Sequence, residues 1–83
     1  MIAMTPDDSQ GHVVLDTRGT FCPLPIIKTS KAIANLHRGG LLEVISDDPA
    51  IEQDLPAWCR SHGHVIREVR RDGRDVHYLV EKA

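Results

Sequence analysis

Both helical patterns in this chain open near a proline and close on glycine, and that punctuation leaves only short segments around them. The first pattern spans residues 25–37. Ile26, Ile27, Ile33, Ala34 and Leu36 recur there at helical spacing, with Lys28 and Lys31 between them. Pro23 suits its first turn, where a missing N–H costs nothing, and Gly39-Gly40 ends it. The second pattern opens on Asp47-Asp48-Pro49, an aspartate cap followed by proline at the first helical position, and stops at Gly63. Ile51, Leu55, Trp58, Cys59 and His62 share one face of it. Pro56 lies inside the pattern and is expected to kink or split the helix.

The remaining segments are too short for helices. Residues 12–16 (HVVLD) and 41–46 (LLEVIS) are apolar runs that read as strands. Residues 65–69 and 76–80 alternate, with Val65 and Val69 on one face and Val76, Tyr78 and Val80 on another. Arg71-Asp72-Gly73-Arg74 joins them as a hairpin turn. The order is β-α-β-α-β-β. It folds most simply as an α/β two-layer sandwich, a four-stranded mixed sheet with two helices on one face. Residues 1–11 are polar, with Pro6 and Gly11, and read as a flexible leader in which Met4 could equally be the start. Residues 12–83 make a single domain, as a chain of 83 residues requires.

Composition bounds the function. At 41% hydrophobic residues a core is expected, but a domain this small buries only about 60% of its unfolded surface. An embedded substrate cavity would consume much of that core, so chemistry belongs on the surface. A net charge of −2 gives no global pull toward nucleic acid. No apolar run is long enough for a membrane span, and the first residues lack the basic and apolar regions of a signal peptide. Two cysteines without a secretory signal imply a reducing, cytoplasmic setting, and make one of them a candidate working thiol.

Cys22 is the candidate. It precedes Pro23 in Phe21-Cys22-Pro23-Leu24-Pro25, and a residue before proline is pushed out of the helical region. With Pro23 at the first helical position, Cys22 becomes the cap, its sulfur near the free N–H groups and the positive end of the helix. That placement favours thiolate, lowering the pKa from about 8.5. Because the two prolines donate no hydrogen bonds, a moderate lowering is expected, with rigidity holding the sulfur outward. The bland alternative is a cysteine buried as a small hydrophobe.

The run Leu15-Asp16-Thr17-Arg18-Gly19-Thr20-Phe21-Cys22-Pro23-Leu24-Pro25 resembles the signature of the TusA/SirA-like sulfur carrier family, whose hallmark is Cys-Pro-x-Pro. The likeness continues through residues 40–44, Ser46-Asp47-Asp48-Pro49-Ala50, Asp54-Leu55-Pro56-Ala57-Trp58-Cys59 and Gly63-His64 to the C-terminal hairpin. The resemblance implies the same β-α-β-α-β-β sandwich. It further implies that Cys22 accepts sulfane sulfur as a persulfide from a cysteine desulfurase or rhodanese-like donor and relays it to an acceptor protein. The pathway would be tRNA thiolation, cofactor sulfuration or sulfur metabolism. Such a protein is a sulfurtransferase in the loose sense, a stoichiometric carrier without metal or organic cofactor. Pro23, Pro25, Arg18 and Gly19 would support the site. Members dedicated to tRNA thiolation often carry an acidic residue between the prolines, where this chain has Leu24.

Two other readings stand beside the carrier. In one the Cys-Pro-x-Pro loop is a docking surface of a non-catalytic interaction or regulatory module. In the other Cys22 and Cys59 form a redox dithiol, which requires Cα atoms about 4.4–6.8 Å apart. Cys59 reads as core, on the apolar helix face. Cys59, His62 and His64 form a loose C-x₂-H-x-H, but Gly63 between the histidines should send their side chains apart. Arg18 either holds sulfur charge or is a solvated turn residue. Asp16, Asp47 and Asp48 read as turn and cap residues, and Trp58 as core. Arg67, Arg70, Arg71 and Arg74 make the hairpin basic, either as edge protection or as a patch for an acidic partner. No aromatic set accompanies them, so direct nucleic-acid binding is not indicated. Nothing demands more than a monomer.

Overall fold

Each predicted segment takes up its element, in the order β1 (Val13–Asp16), α1 (Leu24–Ala34), β2 (Leu41–Ser46), α2 (Ile51–His62), β3 (Val65–Asp72) and β4 (Asp75–Glu81). These elements come from a computed structural model that describes residues 12–83; the leader read over residues 1–11 lies outside the described residues. The sheet order is β1-β2-β4-β3, with β1 parallel to β2 and the other two pairings antiparallel. It is the expected mixed four-stranded sheet.

The helices share one face of it. Leu42 and Val44 of β2 and Val76, Tyr78 and Val80 of β4 pack with Ile33 of α1 and with Ile51, Leu55 and Cys59 of α2. The alternate residues Glu43, His77 and Leu79 are register neighbours on the opposite, uncovered face. The stripe on α2 matches the predicted one at Ile51, Leu55 and Cys59, with Trp58 half-buried beside it and His62 exposed. The stripe on α1 matches in part: Ile33 is in the core with Ile26 and Leu36 packed against it, but Pro25 and Thr29 are buried in line with Ile33, each four positions from the next, whereas Ile27 and Ala34 are exposed. Thr29 is tolerated inside because its hydroxyl donates to the Pro25 carbonyl at 2.8 Å.

Several boundaries move for local reasons. Helix α1 stops at Ala34, where Asn35 and Leu36 donate to Ala32 and Ile33 in a tightened last turn. The Leu36 carbonyl is then satisfied by Lys82 Nζ at 2.6 Å. Pro56 does not split α2, which runs continuously to Gly63 in the left-handed conformation. The one hydrogen bond that proline removes would have gone to the carbonyl of Glu52, an exposed residue that can turn to water. In β3 a bulge between Ile66 and Glu68 changes the alternation. Val65, opposite Glu81, and Val69, opposite Tyr78, therefore fall on different faces; Ile66, opposite Val80, packs on the core, and both valines are exposed. The hairpin turn tightens to Gly73-Arg74, with Asp72 and Asp75 paired and Gly73 at φ +63°.

Among the described residues no helix is long and apolar enough to cross a membrane.

Candidate functional site

Because β1 and β2 are parallel neighbours, the loops leaving their carboxyl ends lie side by side. Hydrogen bonds stitch the two loops together. Thr17 is fully buried and gives both its N–H (2.8 Å) and its hydroxyl (2.6 Å) to the Ile45 carbonyl. Gly19, left-handed at φ +83°, donates its N–H to Asp47 Oδ1 at 3.1 Å. The Cys22 N–H reaches Asp48 Oδ2 at 2.8 Å. Asp48 also accepts the Ala50 N–H through Oδ1 at 3.1 Å, so it closes the turn ahead of α2. That helix starts at Ile51 with Ala50 as its cap, later than the Asp48 cap and Pro49 start read from sequence.

Cys22 ends the stitched loop with its side chain exposed. It lies in a turn closed by the Leu24 N–H on the Phe21 carbonyl at 2.8 Å, and its peptide bond to Pro23 is cis. The cap of α1 is Pro23, so Cys22 stands one residue outside the position assigned to it from sequence. Pro25 is fully buried and anchors the helix start, while Pro23 is exposed.

The start of α1 offers the sulfur no hydrogen bond. Pro23 and Pro25 have no N–H, Leu24 donates to Phe21, and Ile26 and Ile27 both donate to the Pro23 carbonyl at 3.1 and 3.0 Å. The expected shift toward thiolate is reversed. The carboxylate of Asp54, in the first turn of α2, is the largest influence pushing the Cys22 thiol above its ordinary value. Slight desolvation by the surrounding loop and the charges of Asp54 and Asp48 act in the same direction.

Arg18 is spent elsewhere. Its guanidinium grips Asp16 through Nε (2.9 Å) and Nη2 (2.7 Å) and reaches Asp75 Oδ2 from Nη1 (3.1 Å), tying the end of β1 to the start of β4. The grip holds the Asp16 carboxyl down at about 2. An apolar rim flanks Cys22: Phe21 is 72% exposed, and Leu24 and Ile27 lie on the surface of α1 one turn apart.

The second cysteine has the opposite setting. Cys59 is in the core, and burial pushes its thiol to about 11. Both cysteines are free, so no Cys22–Cys59 disulfide forms. His62 and His64 are not sent apart by Gly63. Their rings lie parallel, 6.2 Å apart, and both meet Trp58, at 4.7 and 5.1 Å. Trp58 is half-buried rather than core, and Cys59 points away from this cluster into the interior. Among the described residues no group of three or more His, Cys, Asp or Glu side chains is placed to share a metal ion. The hairpin arginines are largely satisfied within the molecule: Arg67 on Glu81, Arg70 near Glu43 and Arg71 forked on Glu52.

Sequence reasoning missed Asp54 and the anchoring role of Thr17. The available signal was topological: two adjacent parallel strands bring the segment after β2 against the segment after β1.

Comparison with known proteins accords with this architecture. A SirA-like protein from Desulfitobacterium hafniense superposes with a TM-score of 0.74 at 27% identity, over 83% of this chain and 95% of that one. The "Putative sulfur carrier protein YrkI" of Bacillus subtilis is 39% identical over 69 residues, spanning 83% of this chain and 92% of the relative. The similarly named YedF of Escherichia coli K12 is 37% identical over 68 residues, spanning 82% and 88%. Residues 13–82 match the family model described as sulfurtransferase TusA, and the chain belongs to that family.

Proposed function

We propose that this protein carries sulfane sulfur as a persulfide on Cys22, taking it from a donor protein and giving it to an acceptor protein. The observation that carries the reading is the contrast between the two thiols: Cys22 is exposed at the carboxyl end of the parallel strand pair, whereas Cys59 is sealed in the core. Family membership supplies the sulfur chemistry. A donor of the cysteine desulfurase or rhodanese type brings a persulfide, whose outer sulfur is attacked by Cys22. The donor S–S bond breaks, and its cysteine leaves as a thiolate. In the second half an acceptor thiolate attacks the outer sulfur on Cys22, and Cys22 leaves. The chain works as a stoichiometric carrier in a reducing, cytoplasmic setting, as a monomer. Exposed Phe21, Leu24 and Ile27 beside the sulfur favour transfer within a docked protein pair over release of free sulfide. Pro23, Pro25 and Gly19 hold the loop, and Arg18 supports it through Asp16 and Asp75.

Incubation with a cysteine desulfurase and cysteine tests the reading by intact mass. The wild type should gain about 32 Da, one sulfur, reversed by dithiothreitol, and Cys22→Ser should gain nothing. A wild-type chain that takes no sulfur from desulfurase or rhodanese donors would leave only an interaction module built on the same loop.

A further inference from the structure

Two segments border the exposed Cys22, and their side chains are differently engaged. On the β2–α2 side, Asp47 and Asp48 accept the N–H groups of Gly19 and Cys22. On the other side runs the outward stripe of α1. Leu24, Ile27, Lys28 and Lys31 follow one another there at i, i+3, i+4 and i+7, all exposed, over about 10 Å of helix. Leu24 is 47% exposed and Ile27 44%, with Phe21 at the head of the stripe beside Cys22. The other large apolar side chains open to solvent among the described residues, Val13, Val14, Val65 and Val69, sit on the edge strands β1 and β3. The charges on the stripe are also unbalanced. Arg18, Arg67, Arg70 and Arg71 each pair with a carboxylate, and Lys82 reaches the Leu36 carbonyl. Among the described residues no carboxylate pairs with Lys28 or Lys31. Residues 17–42 hold Arg18, Lys28, Lys31 and Arg38 without one aspartate or glutamate, whereas α2 mixes Glu52, Asp54 and Arg60. Like charges three apart mildly destabilise a helix that has no acid to offset them.

We infer that this stripe of α1 is the face that docks the sulfur donor, and that the fitting donor is a protein holding its persulfide in an apolar recess edged by aspartate or glutamate. The inference rests on the carrier reading above and adds the docking surface and the chemistry of the partner. Phe21, Leu24 and Ile27 enter the recess and shed water, which sets Cys22 at its mouth. Lys28 and Lys31 then meet the acidic edge, gain the counter-charge that their own helix lacks, and speed the encounter. The Cys22 proton passes to solvent, its sulfur bonds to the outer sulfur of the donor persulfide, and the donor cysteine leaves as thiolate. Cys22 is the single exposed thiol, so the acceptor must approach the same end of α1 once the donor has left. A nucleic-acid backbone would satisfy the two lysines but leave the three apolar side chains unmatched.

The rate of loading by the cysteine desulfurase of the mass experiment tests this, at carrier concentrations low enough for docking to limit it. Lys28→Gln/Lys31→Gln should load about threefold to tenfold more slowly than wild type at low ionic strength. Between about 50 and about 500 mM salt the wild-type rate should fall toward that of the lysine variant, which itself changes little. Leu24→Ser/Ile27→Ser should load at least about fivefold more slowly and keep the wild-type salt response. Arg60→Glu, in the last turn of α2, brings the chain to the same net charge as the lysine variant and should load at the wild-type rate. Every variant should keep the wild-type circular dichroism and the wild-type rate of Cys22 alkylation by neutral iodoacetamide. Unchanged loading in both double variants, an equal loss in Arg60→Glu, or a matching loss of alkylation would overturn the inference while the carrier reading stood. Binding of a single-stranded RNA that disappears in the lysine variant, with its loading intact, would overturn it too. A wild type that takes no sulfur is a different result: it removes the carrier reading itself, and this inference falls with it.

Discussion

Asp48 Oδ2 accepts the backbone N–H of Cys22 at 2.8 Å, across 26 positions of sequence, while Oδ1 of the same carboxylate accepts the N–H of Ala50. One side chain thus ties the cysteine loop to the start of the second helix. The position of the sulfur is therefore set by β2 and α2 as much as by the two prolines beside it.

Replacing Asp48 with alanine removes both bonds at once. The expected cost is about 1–2 kcal/mol in urea denaturation, two ordinary hydrogen bonds in a partly exposed site. The local effect should exceed the global one. Amide exchange at Cys22 should accelerate well beyond the change in overall stability, while the buried amides of β2 follow global unfolding. Equal changes at both places would mean that the loop is held by other contacts.

The order of elements was legible in sequence because both helices are punctuated by proline and glycine, and because the α2 stripe of Ile51, Leu55 and Cys59 follows helical spacing without interruption. The face of α1 was legible only in part, through Ile33, Ile26 and Leu36. Two of its inward residues are a proline and a threonine, which hydrophobic periodicity discounts, and the threonine is admissible through its bond to Pro25. The β3 alternation failed at a bulge, a register feature that depends on the partner strand. Cys22 was legible as the exposed thiol, but its electrostatics were not. Reading a cysteine near a helix start as activated assumes free N–H groups, and here the surrounding turn consumes them. The opposing carboxylate arrives from 32 positions away in sequence, at Asp54, through strand topology alone.

The contrast between the thiols predicts a labelling count. At pH 8 in native buffer, iodoacetamide should add one carbamidomethyl group per chain, located on Cys22 by peptide mapping. Cys59 should stay unlabelled, because it is buried and its thiol is pushed to about 11. In concentrated urea both should react. A Cys59→Ser chain should lose about 1–3 kcal/mol, since a hydroxyl would enter an apolar cluster without an arranged partner. Its Cys22 should still alkylate at the wild-type rate.

On the uncovered face of the sheet, Glu43 of β2 gathers the other three strands around one carboxylate. It accepts from His77 Nδ1 of β4 at 2.6 Å and from His12 Nε2, next to β1, at 2.7 Å, and Arg70 of β3 approaches to 3.5 Å. These contacts, the His77 bond first, lower the carboxyl below its ordinary value of 4.5. A group with a lowered folded value stabilises the native state while it is ionised. That contribution is fully present above 4.5 and fades as pH falls through the lower folded value. Glu43→Gln keeps the shape and removes the charge, and it should cost about 1–2 kcal/mol near pH 6. Urea titrations of both proteins from pH 6 to pH 3 should show the two stabilities converging at the acidic end. A difference that stays constant across that range would mean that the carboxylate contributes through packing and not through its charge.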